Sequence, residues 1–184
     1  MRGLTILVYA LFIMTSASAE PFPQSSASLF SPDHTFEVVN IVLDMADKNG
    51  NYLHLTIRNI KTGESHLLLS YPRNVDVSWS PKGRWIAVSN NDAADESTCL
   101  VFDASTAKVV ADLLSRVEDE DKELSSLDHT SQWQYVRCGK WLNDHTLAVT
   151  LDDLDFTTHI ELFETYGFDI QKNSLSLIEK HAQK

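Results

Sequence analysis

Apolar and polar residues alternate with period two along much of this chain. In the run Leu53 to Ile60, Leu53, Leu55 and Ile57 share one face, and His54, Thr56 and Arg58 share the other. Val75, Val77 and Trp79 line up in the same way, as do Leu147, Val149 and Leu151, and later Ile160 and Leu162. Such alternation is the signature of strands with one buried face. Turn-forming residues separate the runs: Asn49-Gly50, Lys61-Thr62-Gly63, Lys82-Gly83 and Tyr166-Gly167. The pattern predicts an all-β chain. One segment departs from it. Over 111–129, Leu113, Leu114, Val117, Leu124 and Leu127 fall at helical spacing around the acidic run Glu118-Asp119-Glu120-Asp121. A short acidic surface helix or a solvated loop is expected there.

The strand-turn-strand units repeat. SPDHTFEVV at 31–39, SPKGRWIAV at 80–88 and LNDHTLAV at 142–149 each place a polar turn before an apolar strand. Downstream of each lies a second strand-turn-strand half: LHLTIRNIKTGESHLLL, CLVFDASTAKVVADLL and HIELFETYGFDIQKNSLSLI. The unit is therefore about four short strands, in three copies. The interval between the second and third turns exceeds the first by about the length of the acidic segment. Pro81 presets the first φ of its turn and Gly83 tolerates positive φ, so the strands reverse sharply. Trp79 is large enough to fill the gap between neighbouring sheets.

The second copy, VSWSPKGRWIAVSNN followed by STCLVFDASTAKVV, resembles a blade of the TolB-like propeller repeat known as PD40, a relative of WD40. The residues carrying the likeness are Trp79, Pro81, Gly83, Trp85 and the turn opened by Asp103, where Ala107 stands for the usual glycine. The first copy keeps Ser31-Pro32-Asp33 and Asn59 to Glu64 but lacks the tryptophan. The third keeps Trp141 and loses both proline and glycine. The resemblance implies propeller-blade-like antiparallel sheets over residues 31–184, as a single domain. A β-sandwich with three similar hairpins is the alternative. Closed propellers have about 4–8 blades, and this chain has residues for three, so an open or incomplete propeller is expected. Its uncovered faces and edges would be covered by a protein partner, either foreign or a second copy.

The N-terminus changes the picture of compartment. Residues 1–19 carry Arg2, an apolar run from Leu4 to Met14 and an Ala17-Ser18-Ala19 cleavage site. The run is shorter than the roughly twenty residues a bilayer span needs, and no cysteine follows the cut, which argues against a lipoprotein. A cleaved signal peptide and a periplasmic or secreted protein are expected, with a flexible Pro/Ser-rich lead-in over 20–30. In an exported chain the two cysteines, Cys99 and Cys138, are expected to pair as a disulfide. The formal net charge is −11, and loss of Arg2 with the leader makes it one unit more negative. That balance argues against nucleic-acid and anionic-membrane binders, which need a basic face. It is compatible with a basic protein partner. Asp92, Asp95 and Glu96, with Glu118, Asp119, Glu120 and Asp121, form the candidate partner surface.

Catalytic signatures do not stand out. The chain has no nucleophile elbow, P-loop, paired-histidine zinc motif or dinucleotide fingerprint. Its seven histidines lack metal-ligand spacing, and His34 and His145 occupy the repeat position of Gly83, which makes them turn residues. Residues 47–51 miss the glycine and the glutamate a calcium loop requires. Asp152, Asp153 and Asp155 are a weak calcium candidate; they could also line a basic partner or be a strand end with solvated acids. The sequence therefore predicts an exported, non-enzymatic protein-binding module without cofactor. The alternative is a periplasmic inhibitor or immunity-type protein that neutralises a secreted enzyme or toxin.

Overall fold

A computed structural model describes residues 20–22, 27–51, 53–91, 96–120, 132–155 and 160–183. Thirteen strands and one helix follow one another among them. They are β1 Glu20–Phe22, β2 Ser28–Phe30, β3 Phe36–Val42, β4 Leu53–Asn59, β5 Ser65–Tyr71, β6 Asn74–Trp79, β7 Trp85–Asn91, β8 Glu96–Asp103 and β9 Lys108–Asp112. Then come α1 Leu113–Glu120, β10 Gln132–Trp141, β11 Thr146–Asp155, β12 Ile160–Asp169 and β13 Ser174–Gln183.

The strands form three consecutive four-stranded antiparallel meanders: β2-β3-β4-β5, β6-β7-β8-β9 and β10-β11-β12-β13. These are propeller blades, and the sandwich alternative is not the arrangement found. In each blade the third and fourth strands carry a bulge, between Leu55 and Thr56, Val101 and Phe102, and Thr165 and Tyr166. The added residue increases the local twist of the outer edge. A short parallel pairing of β8 with β10 links the second and third blades.

Each blade has two faces, a back face toward the preceding blade and a front face toward the next. Two hydrophobic clusters fill the two seams. Between the first and second blades, Val38, Leu55, Ile57 and Tyr71 meet Val75, Val77, Trp79, Ile86, Val88 and Phe102. Between the second and third, Trp85, Ala87, Cys99 and Val101 meet Val136, Leu147, Val149, Leu151, Tyr166 and Phe168. The middle blade is thus covered on both faces. That explains why Trp85 through Asn90 are all buried and why β7 lacks the apolar-polar alternation of the other strands.

Two short strands lie in the expected lead-in over 20–30. Glu20–Phe22 pairs along β6, and Ser28–Phe30 pairs along β3 and is the first strand of the first blade. Leu29 turns inward beside Val38, so the strand buries a side chain while closing the β3 edge. The helix expected near 111–129 is α1. Asp112 caps it through Oδ1, which accepts from Leu114 N at 3.2 Å. Leu113 and Val117 anchor it in the second seam. Residues 1–19, and Leu124 and Leu127, lie outside the described residues.

Candidate functional site

The repeat is visible in its hydrogen bonds. At the turn joining first and second strands, Ser31 Oγ accepts from Phe36 N at 2.9 Å and Ser80 Oγ accepts from Trp85 N at 3.0 Å. In the third blade Asn143 Oδ1 takes this role, accepting from His145 N and Thr146 N. At the turn joining third and fourth strands, Asn59, Asp103 and Asp169 each accept two backbone N–H bonds through one side-chain oxygen. The residue that follows, Ile60, Ala104 or Ile170, donates to the carbonyl of Thr35, Arg84 or His145. Both turns therefore sit at one end of every blade. The positive-φ position is filled by His34 and Gly83 in the first kind of turn, and by Gly63, Ala107 and Asn173 in the second.

The first-strand turns also touch across the seams. A Cβ on Gly83 would lie 3.1 Å from Asp33 Oδ1 and 3.2 Å from Ser31 Cβ, and φ is +72° there, so a side chain would crowd the first turn and strain the backbone. Exposed Pro81 opens that turn, and Lys82 beside it reaches Asp144 Oδ2 of the third blade at 2.8 Å. The hydroxyl of Ser31 and the Thr35 N–H hold the Asp33 carboxyl below its usual range.

The tryptophans act as wedges. Trp79 and Trp141 end β6 and β10, and both are buried. Trp79 Nε1 donates to Leu29 O at 3.3 Å, and Trp141 Nε1 donates to Ser78 Oγ at 3.2 Å. In each case the acceptor is the penultimate residue of the preceding blade's first strand. Trp85 faces the second seam under the Arg84 guanidinium, 4.4 Å from its ring centroid. Arg84 Nε also lies 3.8 Å from Asp103 Oδ2. Cys99 and Cys138 form a disulfide from β8 to β10, beside a bond from Cys138 N to Ser89 Oγ at 2.9 Å.

The two end faces differ from these seams. The back face of the first blade presents Phe30, Ile41 and Leu67, exposed by 47%, 41% and 52%. At its centre Glu37 pairs with Arg58, and Glu37 is only 5% exposed. These two stand where the second blade has Ile86 and Phe102. The front face of the third blade has small and polar residues at its centre, Ala148, Thr150, Thr165 and Gly167, with the exposed Ile178 side chain lying against Gly167. Beside them Arg137 stacks on the Tyr135 ring at 4.9 Å. Burial raises the carboxyls of Asp76 and Asp152 above their usual range, and the Arg137 charge opposes the shift at both. Sequence reasoning missed this charge cluster and the Glu37–Arg58 pair. Their partners are far apart in sequence and meet only through register.

The acidic residues singled out in the sequence are only partly placed. Asp92, Asp95 and Asp121 lie outside the described residues. Glu96 opens β8, while Glu118, Asp119 and Glu120 close α1. β7 ends, and β8 and α1 begin, at the blade end opposite the turns. Asp152, Asp153 and Asp155 lie on β11, not in a loop. No group of three metal-ligating side chains occurs among the described residues. No helix among them is long and apolar enough to cross a membrane.

No protein-family model matches the chain, and no curated protein resembles it in sequence. Among solved structures it is similar to a putative TolB from Agrobacterium tumefaciens at 12% identity and TM-score 0.41, covering 85% of this chain and 50% of that one. A TolB from Acinetobacter baumannii follows at 10% identity and TM-score 0.38, covering 86% and 43%. The WD40 domain of SCAP from fission yeast has 11% identity and TM-score 0.38, covering 97% and 37%. The chain spans half the length of these proteins or less. The blade description rests on the strand pairings above.

Proposed function

We propose that this chain is an exported, non-enzymatic protein-binding module of TolB-like PD40 blades, which docks its partner on the back face of the first blade. The supporting observation is the exposed set Phe30, Ile41 and Leu67 on a sheet face that no described residue covers. Three large apolar side chains exposed on one face, set around the Glu37–Arg58 pair, offer a partner apolar contact, and the pair supplies orientation. The Trp79-Ser80-Pro81 turn supports the repeat type, and the disulfide fits an oxidising compartment. The test is capture of partners from a cell-envelope extract, followed by mass spectrometry. Wild-type protein is expected to retain a partner that Leu67→Glu loses. A partner held equally by both would refute the assignment of the face.

A second reading, an inhibitor of a secreted enzyme or toxin, is favoured by the blade end that gathers the acidic connections. β7 ends, and β8 and α1 begin, there. It predicts that charge reversal at Glu118–Asp121 abolishes capture while Leu67→Glu does not.

A further inference from the structure

Phe30 ends the first strand of the first blade, the position held by Trp79 and Trp141 in the other two. Both tryptophans reach back across a seam into the preceding blade. Phe30 points from a back face with no blade behind it among the described residues. The complementary front face that no described residue covers is that of the third blade. We infer that a second copy of this chain fills the gap, its third blade packing against the first blade of its neighbour. This rests on the docking face proposed above and names its occupant.

The pairing repeats a contact the chain already makes twice, since both internal seams join a front face to the next back face. Two such contacts related by a two-fold axis close on themselves, as isologous assemblies do. They would give a ring of six blades, within the range of closed propellers.

Side-chain size matches as well. Phe30, Val39, Ile41 and Leu67 project from the back face, while Ala148, Thr150 and Thr165 leave the front face shallow up to Ile178, whose side chain lies over Gly167. Large residues opposite small ones let two layers interdigitate. At the wedge itself, the residue equivalent to Leu29 and Ser78 is Lys140, penultimate in β10 and exposed. Its ammonium would lie by the Phe30 ring, a favourable cation–aromatic contact. Neither face carries net charge at its centre: Glu37 is paired with Arg58, and Arg137 acts on Asp152.

Area is sufficient. Four strands about 4.8 Å apart and about five residues long give a face of roughly 300 Å² in plan. Ring closure covers four faces, roughly 1,200 Å², the lower bound of stable interfaces. With Glu37 and Arg58 in place of Ile86 and Phe102, the contact is more polar than the internal seams, so the copies dissociate on dilution. The acidic chain repels its neighbour, so salt strengthens the assembly.

Sedimentation of the purified protein tests this. At about 100 µM, a concentration suited to a weak contact, wild type is expected to sediment at twice the monomer mass. Phe30→Asp and, independently, Thr150→Arg are expected to give monomers. Both positions are surface-exposed, and unchanged melting of the dilute variants confirms that they fold. A photo-reactive benzoylphenylalanine at position 30 is expected to cross-link to the Lys140 segment of a second, isotope-labelled copy. A monomeric wild type, or a dimer indifferent to both substitutions, overturns the inference. Loss of partner capture by Leu67→Glu in a monomeric protein would leave the docking face standing with a foreign occupant.

Discussion

Trp141 Nε1 donates to Ser78 Oγ at 3.2 Å, so the end of one blade's first strand is tied to the first strand of the blade before it. Trp79 does the same to Leu29. Phe30 stands at the equivalent position with nothing behind it among the described residues. Truncation should therefore have unequal effects at three equivalent sites. Trp79→Ala and Trp141→Ala open seam cavities and should each cost about 3–5 kcal/mol. Phe30→Ala should cost less than about 0.5 kcal/mol, as at an ordinary surface site. Urea unfolding at dilute, monomeric concentration measures all three.

The Cys99–Cys138 bond closes a loop with a sequence separation of 39 across the second seam. Its chain-entropy contribution is about 4 kcal/mol, reduced by any native strain. Replacing both cysteines by serine should lower stability by about 2–4 kcal/mol. Reducing agent should bring wild type to the level of the double variant and leave that variant unchanged.

Gly83 and Gly63 both have positive φ, yet only Gly83 is hemmed in, by Ser31, Pro32 and Asp33. Gly63→Ala should cost only the backbone conformation, about 1 kcal/mol. Gly83→Ala adds a clash between two turns and should cost about 2–3 kcal/mol. Equal losses in thermal melts would show that the turns do not pack as described.

Legibility in the sequence followed locality. Strands with one covered face, such as Leu53–Asn59, were readable from alternation, and the repeated turns from Pro81, Gly83 and the Asp103 cap. β7 was readable only through its turn, because burial on both faces erases its period. β1 and β2 escaped because three-residue strands show no period at all. Their pairing is fixed by β6 and β3, not by their own composition. The docking face was hidden for a related reason. Glu37, Arg58 and Leu67 come from three different strands, and only the register of β3, β4 and β5 sets them side by side.

Asp76 gives a pH prediction with a definite sign. Burial raises its folded pKa above the usual 3.8, against the opposing Arg137 charge. A raised folded pKa means that its contribution to stability is fully present below pH 3.8 and is lost as pH rises through the folded value. Asp76→Asn should therefore be more stable than wild type at pH 7, with the difference vanishing as pH falls below the usual carboxylate range. Denaturant titrations of the two proteins across this interval give the difference directly. A difference that grew on acidification would reverse the assigned sign.

The most direct measurement is hydroxyl-radical footprinting of the protein recovered with its partner, compared with the dilute free chain. Phe30 and Leu67 should lose labelling in the assembled protein, while Met45, 80% exposed, and Val110 on the second blade's edge should keep it. Phe30 and Leu67 labelled as strongly in the assembly as in the free chain would contradict a docking surface on the first blade.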